Sequence, residues 1–272
     1  MGRIFVLGAG AMAESFIKGV LHDEAVAPSD IVVMNRQNRA RLQELTDLYG
    51  IGQARAISDA ADADVVILSV KPYDIATALQ GMLPYLNGQL LISFAAGIPI
   101  DFIEQATERR AQVIRAMPNL PVAVLAGAIA ISASKQVSAT SVEHAKGLLA
   151  QLGVVVELEE QMMDAATAFS GSGPGFVSYF LEAMEQAAVQ LGFSAPMARE
   201  LLIQTVLGTA KILQEWRLSP AELRVRVTSP NGTTHAGLNV LNERGMQDAI
   251  AQALIQAANR SQEMGQQYTA KV

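Results

Sequence analysis

The sequence predicts an α/β fold, with a doubly wound parallel sheet over residues 1–158 and an all-helical C-terminal domain over residues 159–272. Three observations carry the prediction. Short apolar runs alternate with helical spacing through the first half, as in a parallel sheet covered on both faces. The first of these runs enters a glycine-rich turn. From about Glu159 the β-rich runs give way to long Ala- and Leu-rich helical stretches.

In chain order, residues 3–7 (Arg-Ile-Phe-Val-Leu) read as a buried strand, and a helix follows from about Met12 to His22. Ile31–Met34 is a second strand, entered from a loop marked by Pro28, Ser29 and Asp30. Residues 38–49 have helical spacing at Leu42, Leu45 and Leu48. Further strands are expected at 65–70, 89–94, 113–116 and 128–132, with helices over 73–86 and 100–107. The second half reads as helices over 161–191, 195–215, 219–226, 234–243 and 246–268. The boundary between the two parts is expected near Val156–Glu160.

Composition narrows the function classes. The 272 residues carry a net charge of −6, with 50% hydrophobic and 17% charged residues, and no dense Lys/Arg stripe. This describes a well-packed chain and argues against a nucleic-acid partner, whose phosphates need clustered cations. Without cysteine there is no disulfide, thiol nucleophile or iron–sulfur cluster. The three histidines lack metal-ligand spacing, so no metal is expected. The apolar run after Arg3 is too short for a signal peptide and meets Glu14 at once. Residues 116–134 carry no charge, but Pro118, Asn119 and Pro121 break them before they can span a bilayer. A cytoplasmic location with no membrane partner is expected.

The glycine-rich turn is Gly8-Ala9-Gly10-Ala11-Met12-Ala13. Gly8 permits a tight turn after the strand, and Gly10 keeps no side chain between the backbone and a pyrophosphate. Ala13 is small enough to let the helix pack close to the sheet. The helix N-terminus then offers unpaired N–H groups and a partial positive charge. With a strand before it and a helix after it, the turn points to a Rossmann-type dinucleotide site. The second strand should end at the adenosine ribose, where an NAD site usually carries Asp or Glu. This chain has Asn35-Arg36, with Arg39 and Arg41 just after. An arginine fork pairs with a 2′-phosphate that a carboxylate repels, so NADP(H) is preferred, with NAD(H) possible. At least one of Arg39 and Arg41 is expected merely to solvate its helix.

Two segments of the second half do not read as plain helix. Ser170-Gly171-Ser172-Gly173-Pro174-Gly175 interrupts a helical run. Gly and Pro inside a helix cost about 1 and 3 kcal/mol, so the cluster marks either a close backbone approach or a kink. The other segment is Val227-Thr228-Ser229-Pro230-Asn231-Gly232-Thr233-Thr234, leading into a helix from about His235. Its hydroxyls and N–H groups suit a small carboxylate, each anion–dipole contact being worth about 0.3–1 kcal/mol. A cap built by Thr233 or Thr234 is the alternative.

Taken together, these segments resemble the pyrroline-5-carboxylate reductase family over nearly the whole length. The resemblance rests on Gly8 to Ala13, Ser69-Val70-Lys71-Pro72, Ala95-Ala96-Gly97, Met117-Pro118-Asn119 with Pro121, Ser170 to Pro174, and Thr228 to Thr234. It implies a Rossmann domain, a helical domain interlocking with a second subunit, and NAD(P)H-dependent reduction of a ring imine to L-proline. Carried over by position, Ser69, Val70, Lys71 and Pro72, with Phe94, Ala95 and Ala96, should line the nicotinamide half of the cofactor site. Ser229, Gly232, Thr233 and Thr234 should hold the substrate carboxylate and ring nitrogen, with Thr234 orienting the imine. The sequence departs from the family at Asn231, where glycine is usual, at Leu120, at Gly175-Phe176 and at Ala56. Two other readings compete. A 3-hydroxyacid-type dehydrogenase would need a lysine that the Ser170–Phe176 segment lacks. A regulatory paralogue without turnover would have no need of an intact Ser229–Thr234 loop.

Overall fold

In a computed structural model describing residues 2–22 and 25–269, eight strands form one sheet. Met1, Asp23, Glu24 and residues 270–272, which fall within the expected domain spans, lie outside the described residues. The strands are β1 (Ile4–Leu7), β2 (Ile31–Met34), β3 (Gly52–Gln53), β4 (Val65–Leu68), β5 (Leu90–Ser93), β6 (Gln112–Pro118), β7 (Gly127–Ala133) and β8 (Gly153–Glu157). Their order across the sheet is β3-β2-β1-β4-β5-β6-β7-β8. The chain thus starts in the middle of the sheet, winds outward through β2 and β3, then returns beside β1 with β4. That reversal leaves a crevice at the carboxyl ends of β1 and β4, where open α/β sheets bind ligands.

Helices α1 (Ala11–His22), α2 (Arg39–Tyr49), α3 (Ile75–Met82), α4 (Ile100–Ala106) and α5 (Ala139–Ala150) cover the two faces. Alternation along β1 assigns the faces. Ile4 and Val6 join Phe16 and Ile17 of α1 and Leu148 and Leu149 of α5. Phe5 and Leu7 join Ile75 and Leu79 of α3 and Ile103 of α4. All four β1 side chains are buried, so the strand reads as a continuous apolar run.

The parallel sheet expected from the sequence has one exception: β7 runs antiparallel to β6. Residues 119–126 between them are too few for a crossover, which takes a dozen or more. The chain therefore reverses, with Leu125 at a left-handed φ of 58°. Helix α5 and strands β3 and β8 fall where no element was expected. The helix expected over 73–86 is a shorter α3 between 3₁₀ turns at Pro72–Asp74 and Leu83–Tyr85, both set by prolines.

Beyond the sheet lie α6 (Met163–Ala166), α7 (Gly173–Gln190), α8 (Ala195–Glu215), α9 (Pro220–Arg226), α10 (Thr233–Glu243) and α11 (Met246–Thr269). The expected boundary near 158 falls just after β8, but compactness divides the chain elsewhere. One unit comprises the described residues up to Pro174 together with those from Ile255 on; the other is Gly175–Leu254. Specific contacts hold the end of α11 in the first unit. Gly97, at φ +72°, lies so close to α11 that a Cβ would come within 3.3 Å of Met264 Cβ. Phe102 and Tyr268 stack edge to face at 5.4 Å. No described helix is long and apolar enough to cross a membrane.

Candidate functional site

The glycine turn sits at the crevice. Gly8 leaves β1 at φ +114°, its N–H donating to the Met34 carbonyl at 2.9 Å. A Cβ there would overlap the Ser69 carbonyl oxygen, so glycine is required twice over, by conformation and by space. At Gly10 an added Cβ meets nothing within 4 Å. The two glycines therefore differ: Gly8 serves the crossing of β1 and β4, whereas Gly10 faces open space at the start of α1. Ala13 is fully buried between α1 and the sheet, and Met12 packs at the edge of the same core.

A cleft of about 300 Å³ opens here. Gly8, Ala9 and Gly10 line it with Asn35 and Arg36 from the end of β2, and Ser69, Val70 and Lys71 from the end of β4. These residues come from three separate sequence segments that the topology gathers at one edge. Ala11, Met12, Ala13, Pro72, Phe94, Ala95 and Ala96 lie outside its lining. Phe94 turns its ring inward, 5.8 Å from Phe16 in an edge-to-face pair. At most its backbone and the neighbouring half-exposed Ala96 are available to a ligand.

The arginines after β2 separate by what they touch. Arg41 donates through Nε to the Ala9 carbonyl at 3.2 Å and pairs with Glu14 and, at 2.8 Å, with Glu44. The hydrogen bonds to Glu44 and Glu14 hold its pKa above the ordinary arginine value. Tyr49 donates to Glu14 at 3.1 Å, and burial followed by the Glu14 charge pushes its phenol up. Arg41 is thus a brace beneath the glycine turn, not a cation facing the cleft. Arg39 is exposed at the first turn of α2. Arg36 is the arginine in the cleft lining, 66% exposed, with Asp74 Oδ1 3.6 Å from its Nη2.

Three roles are set by contacts that the sequence reading does not contain. The first is Arg115, the lone charge of β6, set among Val113, Ile114, Ala116 and Met117. Its side chain is 5% exposed and pairs with Glu160 at 2.9 Å and Asp164 at 3.3 Å. Asp164 also accepts from Ser261 of α11 at 2.7 Å, and Glu160 accepts from the Ile100 N–H at 3.2 Å. A single charge inside an apolar strand was the available signal. The second is the Arg41 brace. The third is Asn119, which accepts from the Ala128 N–H at 2.9 Å and donates to the Ser170 carbonyl at 3.0 Å.

Asn119 accounts for the Ser170–Gly175 cluster. Residues Thr167–Gly171 form one π-helical turn and α7 restarts at Gly173, so the expected helix over 161–191 is broken. Pro174 falls in the first turn of α7, where its missing N–H costs little. It cannot donate to the Ser170 carbonyl four residues back, and Asn119 does so instead. A Cβ on Gly171 would come within 2.7 Å of Met117 Cε, so a close approach and a helix break both operate.

In the second unit, the Val227–Thr234 segment connects α9 to α10. Asn231 has φ +59°, a left-handed conformation that asparagine tolerates better than any residue but glycine. That explains how it stands where glycine is usual. Gly232 is the N-cap of α10 and no side chain caps the helix, so the alternative of a Thr cap is not what forms. Thr233 and Thr234 occupy the first two helical positions and are exposed, as is Ser229. The first N–H groups of α10 therefore lack a side-chain partner and suit a carboxylate. Among the described residues, no group of three His, Cys, Asp or Glu is placed to hold a metal ion.

Comparison with known proteins shows what the whole chain is similar to. Residues 160–264 match the family model for pyrroline-5-carboxylate reductase dimerisation. Residues 3–97 match that for NADP oxidoreductase, coenzyme F420-dependent. The chain is 37% identical over 269 residues to pyrroline-5-carboxylate reductase 2 of Bacillus subtilis, covering 98% of this chain and 97% of that one. It is 39% identical to the pyrroline-5-carboxylate reductase of Pseudomonas aeruginosa, with 97% of each chain covered. The structure of a pyrroline-5-carboxylate reductase from Coxiella burnetii superposes with a TM-score of 0.91 at 32% identity, covering 97% of this chain and 98% of that one.

Proposed function

The chain belongs to the pyrroline-5-carboxylate reductase family, and from that premise we propose how its residues divide the work of reducing 1-pyrroline-5-carboxylate to L-proline with NADPH. The observation that carries the reading is the cleft at the β1/β4 reversal, with Gly10 open and Arg36 at its rim. The cleft fits a dinucleotide: an open glycine backbone and the N-terminus of α1 for the pyrophosphate, and a cation where a 2′-phosphate would lie. Bound NADPH supplies the hydride.

The protein's own tasks are binding and orientation. The turn from Gly8 to Ala13 holds the pyrophosphate through the backbone at Gly10 and the N-terminus of α1, with Arg41 fixing the Ala9 carbonyl from below. Asn35 and Arg36 take the adenosine ribose and its phosphate. Ser69 to Pro72, with the backbone of Phe94 to Ala96, serve the nicotinamide end. A protonated cyclic imine is already an electrophile, so orientation is the main requirement and can supply up to about 7–11 kcal/mol. The N–H groups of Thr233 and Thr234 anchor the substrate carboxylate, together with Ser229, while the Gly232 N–H closes the turn onto the Ser229 carbonyl at 3.0 Å. The Thr234 hydroxyl hydrogen-bonds the ring nitrogen; it positions the imine instead of acting as an acid, since an unperturbed hydroxyl is a poor one near neutral pH.

Thr234→Ala is expected to lower kcat about tenfold to 100-fold, the loss of one hydrogen bond that aligns the reacting group. NADPH affinity should stay within about twofold, because the change lies outside the dinucleotide cleft. Steady-state kinetics with 1-pyrroline-5-carboxylate, beside fluorescence titration of NADPH, checks both halves; an unchanged kcat removes Thr234 from the mechanism. Arg36→Ala should weaken NADPH about 10-fold to 100-fold, one charge-assisted contact, and NADH much less. An unchanged ratio of the two dissociation constants would overturn the assignment of Arg36.

The helical residues 159–272 serve substrate binding and dimerisation in this proposal. Support comes from the second unit's lack of a core: α7 and α10 contain no buried residue, and α8 only Ala198. Large apolar side chains such as Tyr179 (78% exposed) and Ile203 (58%) lie open. Exposed apolar area of this extent marks an interaction surface. We propose a homodimer or higher homo-oligomer formed through these helices. A cytoplasmic location belongs to the same reading, since substrate, product and cofactor are all small water-soluble metabolites.

A further inference from the structure

We propose that Asp74 is a specificity residue of the cofactor cleft, one that restrains the preference for the phosphorylated dinucleotide. The inference rests on the Arg36 assignment above and deepens it. Asp74 lines the same cleft as Gly8–Gly10 and Arg36. Its Oδ1 lies 3.6 Å from Arg36 Nη2, and its side chain is 37% exposed. A carboxylate beside the cation that receives a phosphate calls for explanation, because its place at the start of α3 accounts for a helix-end charge but not for its position against Arg36. The Asp74 N–H already closes a turn onto the Lys71 carbonyl at 2.9 Å. The residue stands at the N-cap of α3, yet its side chain makes no capping hydrogen bond.

The electrostatics run in one direction. Asp74 neutralises part of the Arg36 charge before any ligand arrives. A 2′-phosphate reaching Arg36 must then share it with the carboxylate and sit a few ångströms from a like charge. A 2′-hydroxyl suffers no such repulsion and can donate a hydrogen bond to the carboxylate, the role that an acidic residue plays in NAD sites. Arg36 therefore favours NADPH, while Asp74 keeps NADH as a usable second cofactor.

The test is equilibrium binding of NADPH and of NADH, each followed by its own fluorescence, to the full-length wild-type chain and to Asp74→Asn. Asparagine keeps the shape and removes the charge. The ratio of dissociation constants, NADH over NADPH, is expected to rise about three- to tenfold at low salt, the size of one partly screened charge pair. The rise should shrink as salt is added. Asp74→Ala should shift the ratio the same way, and thermal melts of both variants check folding. A ratio that stays constant or falls in Asp74→Asn overturns the proposal. Arg36→Ala, measured alongside, reports separately on the Arg36 assignment. An unchanged ratio in Arg36→Ala removes the premise that the 2′-phosphate lies beside this pair, whereas an unchanged ratio in Asp74→Asn alone removes only the role of Asp74. Binding alone is read, so the result does not depend on turnover.

Discussion

Arg115→Ala is expected to destabilise the protein by about 3 kcal/mol, near the lower end of the range for removing one partner of a buried ion pair. The guanidinium is nearly inaccessible, whereas Glu160 and Asp164 keep side-chain exposures of 36% and 26%. Water can therefore recover part of the solvation of the stranded carboxylates, which argues against the upper end of the range. About 3 kcal/mol corresponds to a fall in Tm of roughly 6–12 °C for a chain of this size. The loss should not be spread evenly. Arg115 joins β6 to the Glu160–Asp164 segment, and Asp164 joins that segment to Ser261 of α11. Amide hydrogen exchange should accelerate first in residues 255–269 and 159–171, with β1 and β4 protected until global unfolding. A thermal melt within about 2 °C of wild type, with unchanged exchange at α11, would show that Arg115 is no anchor.

Gly10→Val is expected to weaken NADPH binding about 100-fold while leaving thermal stability nearly unchanged. Nothing lies within 4 Å of the position that a Cβ would take. The folded protein therefore has room where the side chain begins, and the main penalty is expected to fall on the ligand. Pushing a pyrophosphate away from the backbone sacrifices one or two charge-assisted hydrogen bonds, worth about 1.5–3 kcal/mol each. Gly8→Ala is the contrasting case. Its backbone sits at φ +114°, and its Cβ would overlap the Ser69 carbonyl. The strain alone costs about 1–3 kcal/mol, and separating β1 from the β4 loop costs more. That variant should lose stability together with binding. Fluorescence titration of NADPH beside calorimetric melts separates the two glycines. If Gly10→Val melts several degrees lower while its NADPH affinity holds, the assigned roles are reversed.

The glycine pair shows what a motif can and cannot specify. The spacing Gly8-x-Gly10 after an apolar run marks a dinucleotide turn, but the spacing alone cannot tell which glycine is held by the fold and which by the ligand. That distinction depends on Ser69, distant in sequence, whose carbonyl lies against Gly8. The arginines after β2 teach the same lesson. Arg36, Arg39 and Arg41 look alike in sequence, yet Glu14, Glu44 and the Ala9 carbonyl engage Arg41. Only Arg36 of the three is left in the cleft lining. Phe94 belongs to the expected nicotinamide segment, but alternation along β5 and the short turn after it direct its ring to Phe16.

Local chemistry was sufficient wherever one periodicity or one turn dominates. Five of the elements illustrate this: β1, α1, β2, α2 and α8 fall within a residue or so of their expected bounds, because buried β-branched runs and helical spacing need no distant partner to be recognised. Asn231 at φ +59° and the α10 N-terminus likewise follow from the Pro-Asn-Gly-Thr-Thr run itself. The antiparallel β7 followed from a connection too short to cross over, a geometric limit that strand propensity does not express. The π-turn at Thr167–Gly171 depended on Asn119 lending a donor that Pro174 lacks, and the Arg115 cluster on three segments meeting around one buried guanidinium. Patterns of neighbours along the chain fix periodicity, turns and caps, since those forces act over a few residues. Buried charges and orphaned carbonyls find their partners through space, so only the tertiary structure decides which residues of the site serve the ligand and which serve the fold.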